Sequence, residues 1–248
     1  MSKTIVFASP KGGVGKTTSC LLLAQMLARA GSTVIVVDAD ARHRCSRWIA
    51  DDQGNRYEAI PHAIRVENAD SENVQEKIEA AAETAEYVVV DLQGAADLTM
   101  YEAIQVADFV IVPTKPSDMD LEEATATMRL IYKHQKAIQK AGNKDYQLPF
   151  GVLFTMTNAA VRSRTMKHIE ASLNAARVPI FETEIHERDA YRAFYSFRTT
   201  LDQLTEKEAP NVQKAIENAE RFMQEVLDAV SGKKDLIPPS TVDAGAQT

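Results

Sequence analysis

The chain predicts an α/β fold, a doubly wound, mostly parallel sheet with helices on both faces. Three observations predict it. Short β-branched runs recur along the 248 residues, and each is apolar throughout instead of alternating, as strands covered on both faces require. Segments of helical periodicity separate these runs, and strand alternating with helix calls for parallel crossovers. The first run passes directly into a glycine-rich turn and a helix, so the ligand is expected at the carboxyl ends of the strands.

In chain order the expected strands are Thr4–Ser9, Thr33–Asp38, Tyr87–Asp91, Phe109–Pro113 and Phe150–Thr155, with a further candidate in IPHAIRV at Ile60–Val66. Helical patterns occupy Thr17–Arg29, Glu72–Glu83, Leu121–Lys140 and Arg164–Ala176. After IFETEI two more helices are expected, at about Arg188–Phe197 and Ala209–Val230. One domain over 1–230 follows. The remainder, 231–248, carries Pro238-Pro239 and small polar residues and is expected to be disordered.

Composition narrows the function. Hydrophobic residues at 45% and charged residues at 25% suit a soluble globular protein, and the longest apolar runs are too short to span a bilayer. Cys20 and Cys45 fit neither a disulfide framework nor a zinc spacing, so they are read as reduced thiols in a cytoplasmic protein. The N-terminus enters a strand at once and shows no signal core. With a net charge of −7, any nucleic-acid contact has to come from a local basic patch.

The chemistry concentrates in KGGVGKTT, Lys11–Thr18. Gly12, Gly13 and Gly15 let backbone N–H groups, Val14 among them, turn inward around phosphates, where a Cβ would obstruct. The helix N-terminus at Thr17 and Thr18 adds amides to that anion site. Lys16 would lie against the β and γ phosphates, and the Thr17 hydroxyl would ligate Mg²⁺. Two features are unusual: Pro10 stands where the general phosphate-loop pattern has glycine, and Lys11 is a second lysine. Asp38, Asp40 and Asp91 end strands beside the loop, where carboxylates can hold Mg²⁺ or orient a water. The alternative is that any of them caps the following helix.

The stretches PKGGVGKTT, VVDAD…SRW, YVVVD and ADFVIVPTKPSDMDLE resemble the ParA/MinD family of deviant-Walker P-loop ATPases, and within it the small partition-type ParA. The resemblance spans about Lys3 to Val230. It implies ATP and Mg²⁺ as cofactors and Mg-dependent ATP hydrolysis. It also implies that Lys11 reaches across an ATP-sandwiched homodimer to the partner's phosphates, a charge supplied in trans. By the same resemblance Asp40 positions the hydrolytic water, Asp38 supports the metal and switch region, and Asp91 is the Walker B carboxylate. Asn158 matches an adenine-contacting asparagine, Ile185 and His186 would flank the base, and Asp120 falls where the family places a dimer-interface residue. The chain departs from the family pattern at Asp40-Ala41-Arg42, where Asp-Pro-Gln is usual, and at Leu92-Gln93-Gly94, where Thr-Pro-Pro is usual.

The implied function is DNA segregation: an ATP dimer that binds DNA without sequence preference, is nucleoid-associated, and answers to a ParB-like centromere-binding protein. The tail lacks the basic amphipathic helix of membrane-targeted members. A T-DNA-transfer accessory ATPase is a near relative, and a same-fold ATPase that positions or assembles a protein cargo is the alternative of a different class. DNA contacts are sought in Arg188, Arg192, Tyr195 and Arg198, at i, i+4, i+7 and i+10 of one helix, extended by Lys207, Lys214 and Arg221. The alternative there is a solvated face paired with Glu187 and Asp189. A second basic cluster, ARHRCSRW at Ala41–Trp48, reads as a solvated loop around a buried Trp48.

Overall fold

A computed structural model describes residues 1–94 and 98–236. Its seven strands form one sheet in the order β3-β2-β4-β1-β5-β6-β7, and every paired neighbour is parallel. The strands are β1 Lys3–Phe7, β2 Val34–Ala39, β3 Ile64–Asn68, β4 Tyr87–Leu92, β5 Phe109–Thr114, β6 Phe150–Thr157 and β7 Ile185–His186. The helices are α1 Lys16–Arg29, α2 Arg44–Ile49, α3 Val74–Thr84, α4 Leu98–Gln105, α5 Asp118–Lys140, α6 Arg164–Ala175, α7 Asp189–Ser196 and α8 Val212–Val230.

The apolar runs are strands because both faces are covered. Residues of α1, α2, α7 and α8 pack on one side of the sheet, and residues of α3 to α6 pack on the other. Val6, Val36, Val89 and Val112 are completely buried, each stabilising the fold by roughly 1.5–3 kcal/mol. Among the described residues no helix is long and apolar enough to cross a membrane.

Register sets up the site. Across β2 and β4 Asp38 is paired with Asp91, and across β1 and β4 Phe7 is paired with Asp91. Both carboxylates and the loop leaving β1 therefore share one sheet edge, at the strand carboxyl ends.

Several expectations are corrected. The helix expected over Arg188–Phe197 covers only Asp189–Ser196, and the last begins at Val212, after Pro210 and the left-handed Asn211 (φ 57°). The helices α2 and α4 and the two-residue β7 were not anticipated, being too short to carry a clear periodicity. The chain stays packed beyond Val230, contrary to the expected disorder at 231–236. Leu236 is 8% exposed, its carbonyl accepts the Ile180 amide at 3.2 Å, and Lys234 pairs with Glu182 and Glu225. The rest of the expected tail, 237–248, lies outside the described residues.

Candidate active site

The loop between β1 and α1 has to turn sharply, and Gly15 allows it with φ 80° at the cap of α1, a conformation that costs an L side chain free energy. Thr155 on β6 anchors the loop by donating its hydroxyl to the Val14 carbonyl at 2.8 Å. On the other side Gly94 packs so closely that a Cβ there would lie 2.8 Å from the Gly12 nitrogen. Between these supports lies a cavity of about 200 Å³, lined by Gly12, Gly13, Gly15, Lys16, Thr17, Thr18, Asp40, Gln93 and Gly94, with Arg42, Arg44 and Met156.

Lys16 is 6% exposed and donates to the carbonyls of Ser9 at 3.0 Å and Lys11 at 2.9 Å. Burial lowers its pKa, opposed by Asp91 and Asp40 and reinforced by Arg44. The Thr17 hydroxyl donates to Asp91 Oδ2 at 2.7 Å. Asp91 is fully buried, and burial raises its pKa to about 7. Its second oxygen, Oδ1, is buried without a hydrogen-bond partner.

Asp38 is also fully buried, but its oxygens are occupied by backbone. Oδ2 accepts the amides of Cys45 at 2.8 Å and Ser46 at 3.1 Å, and Oδ1 accepts that of Asp40 at 3.2 Å. In this state Asp38 therefore makes the contacts of a cap on α2, with its carboxylate still close to Asp91 and Cys45. Asp40 faces the cavity, and its Oδ1 accepts the Arg42 amide at 2.9 Å.

Lys11 points elsewhere. Its ammonium lies 2.7 Å from Asp120 Oδ1 at the start of α5. Burial alone would raise the Asp120 pKa, but hydrogen bonds from Lys11 and Ser117 outweigh it and hold the group below the usual carboxylate range.

A second cavity of about 80 Å³ shares Gly15, Thr18 and Met156 with the first. It is lined further by Thr155, Ile185, His186, Glu187, Arg188, Tyr191 and Arg192. His186 Nδ1 meets the Thr157 hydroxyl at 2.8 Å, and burial lowers its pKa. Met156 joins the two cavities in a left-handed conformation, φ 53°. Asn158 lines neither cavity, and its Oδ1 accepts the amides of Ala160 and Val161 at 2.8 and 3.1 Å.

The basic stripe does not form as one helical face. Arg188 caps α7, and Arg198 lies beyond its end with φ 54°, its guanidinium 4.7 Å from the Tyr195 ring centre. Arg192 pairs with Glu187, and with Asp189 at 3.9 Å. Arg188 and Arg192 both face the second cavity, while Lys214 and Arg221 are exposed on α8. Arg42, Arg44, Gln93, Gly94 and Met156 were missed as cavity residues. The available signal for Arg42 and Gly94 was their place in the two segments that depart from the family pattern.

A family model described as VirC1 protein matches residues 2–232. This chain belongs to that VirC1/ParA family. A relative named Protein ParA from Rhizobium radiobacter is 31% identical, covering 90% of this chain and 95% of its own. A putative plasmid partition protein of Borrelia burgdorferi, solved with AMPPNP, superposes with a TM-score of 0.62 at 19% identity, covering 91% of this chain and all of that one. MinD from Pyrococcus horikoshii, solved with Mg-ADP, gives 0.68 at 19% identity over 94% of this chain and 98% of that one. These structures share the α/β P-loop fold of the VirC1-family chain, and the family is one of ParA/MinD-type ATPases.

Proposed function

We propose that this VirC1-family protein is a Mg-dependent ATP hydrolase that closes as a sandwich homodimer on ATP. The dimer holds DNA without sequence preference and releases it on hydrolysis, in partition of a plasmid or chromosome with a ParB-like centromere-binding partner. The observation that carries the reading is the Thr17–Asp91 contact, with Asp91 Oδ1 orphaned and buried behind Thr17, which itself lines a cavity together with the loop glycines and Lys16. The 31% identity to a ParA over 90% of the chain supports the partition role.

A buried carboxylate oxygen without a partner, beside a hydroxyl, is a donor set suited to a hard divalent cation. Thr17 and Asp91 would hold Mg²⁺, which would supply neutralisation of the phosphate charge. The loop amides bind the phosphates, and Lys16 exchanges the Ser9 and Lys11 carbonyls for phosphate oxygens. Asp40 accepts a hydrogen bond from the attacking water and aligns it. Asp38 keeps the Asp40–Ser46 segment in place through its three amides. Ile185 and His186 flank the base, and Lys11 acts in trans after leaving Asp120.

The test is retention on non-specific duplex DNA with and without ATP. Wild-type protein should be retained only with ATP, with log affinity falling linearly as log salt rises. Lys214→Ala and Arg198→Ala should each reduce that slope by about one. Lys16→Ala should lose nucleotide binding. Asp40→Ala should still bind ATP and DNA while turnover drops by orders of magnitude. ATP turnover without any ATP-dependent DNA retention would defeat the DNA reading and leave an ATPase acting on a protein cargo.

A further inference from the structure

Arg42 stands where the family pattern has glutamine, and both Arg42 and Arg44 line the phosphate cavity beside Lys16. Lys11 and Arg192 are neutralised by carboxylates. Neither Arg42 nor Arg44 forms an ion pair among the described residues. The charge of Arg44 reaches Lys16, where it opposes the ammonium. Asp40 lines the same cavity and offsets one of these charges, so Lys16, Arg42 and Arg44 leave the lining net positive, an arrangement suited to a polyanion.

The helix amides do not provide that anion site at α2. Those of Cys45 and Ser46 are already taken by Asp38, so the arginine side chains are what this segment offers a ligand. The same two bonds pin the start of α2, where Arg44 is the first residue. The Arg42 amide is held by Asp40. Both guanidiniums thus hang from anchored backbone.

Position along the cavity identifies the ligand group. Gly15, Thr18 and Met156 are shared with the second, less polar cavity, and Arg42, Arg44 and Asp40 are not. A nucleotide with its base in the second cavity and its phosphates on the loop would extend its terminal phosphate toward the two arginines. Planar forked donors suit that group.

We propose that Arg42 and Arg44 bind the terminal phosphate of the nucleoside triphosphate in cis, as specificity and positioning residues that make the single protomer prefer a triphosphate to a diphosphate. The inference rests on the nucleotide reading above and adds a source of positive charge independent of Lys11.

The test is calorimetric titration with Mg-ATP and Mg-ADP in a Lys11→Ala background, which removes any lysine supplied by a partner. Replacing both arginines by alanine should weaken ATP about tenfold or more, as loss of charge-assisted hydrogen bonds does, and weaken ADP less than about threefold. Lysine at both positions should restore part of the ATP affinity. Arg42→Ala alone, at an exposed position, should show the same selective loss with an unchanged melting temperature. Equal losses for ATP and ADP would overturn the terminal-phosphate contact, as would no loss for either. If the parent protein binds neither nucleotide, the ATPase reading itself fails, a result distinct from both.

Discussion

Asp120→Asn should strengthen ATP-dependent dimerisation, because it removes the charge that keeps Lys11 at home. The Lys11 ammonium sits 2.7 Å from a carboxylate whose side chain is 8% exposed, while the lysine side chain is 34% exposed. At an effective dielectric constant of about 20, a close pair attracts by roughly 4 kcal/mol. Desolvation, side-chain ordering and screening offset most of that, leaving about 1 kcal/mol for a partly exposed pair. A lysine that serves the partner's phosphates has to give up this contact. Two lysines per dimer then forfeit about 2 kcal/mol, which is about thirtyfold in the dimer constant. The assay is sedimentation equilibrium with ATP in the Asp40→Ala background, comparing chains with and without Asp120→Asn across protein concentration. Asparagine keeps the shape of the side chain. Losing an acidic group from the first turn of α5 should cost about 0.3–1 kcal/mol of folding stability, which thermal melts read separately. A dimer constant that is unchanged or falls refutes the reasoning. So does an equal gain when Lys11 is already alanine, since the effect would then not pass through that lysine.

Gly94→Ala should weaken ATP binding by about tenfold or more, because the new Cβ would meet the Gly12 nitrogen at 2.8 Å and its Cα at 3.0 Å, and backbone has to move to relieve it. Unchanged affinity in a nucleotide titration would show that the loop is not clamped there. Asp91 should make stability depend on pH, since its folded pKa of about 7 exceeds the unfolded value of about 3.9. Protonation therefore favours the folded state: the stabilisation is full below about pH 4 and is lost as pH rises to about 7. Measured in a chelator without nucleotide, Asp91→Asn should gain on wild type in melting temperature from about pH 5 to about pH 8. A gap that stays constant or narrows would contradict that assignment.

Much of this protein is legible in the sequence because it is local. The run from Lys11 to Thr18 carries its turn, its amides and its cations within a few residues, so no distant contact is needed to recognise a phosphate site. The strands TVIVVD and YVVVD are legible for a related reason: burial on both faces leaves an uninterrupted apolar run that a one-sided strand would not show. What the sequence could not state is who meets whom across the sheet. Thr17 reaches Asp91 across 74 positions only because β1 and β4 are neighbours in register. Lys11 finds Asp120 only because β5 delivers α5 beside the loop. The spacing of Arg188, Arg192 and Arg198 described one helical face, but the helix stops at Ser196, where Arg198 turns left-handed over Tyr195. Arg188 and Arg192 were left facing the smaller cavity. Similarly, Leu236 reads as part of a polar tail until Gly151, bare of a side chain, gives it a place against β6. Periodicity reports burial along an element, whereas partners, helix ends and cavity walls depend on the register and packing of segments far apart in the chain.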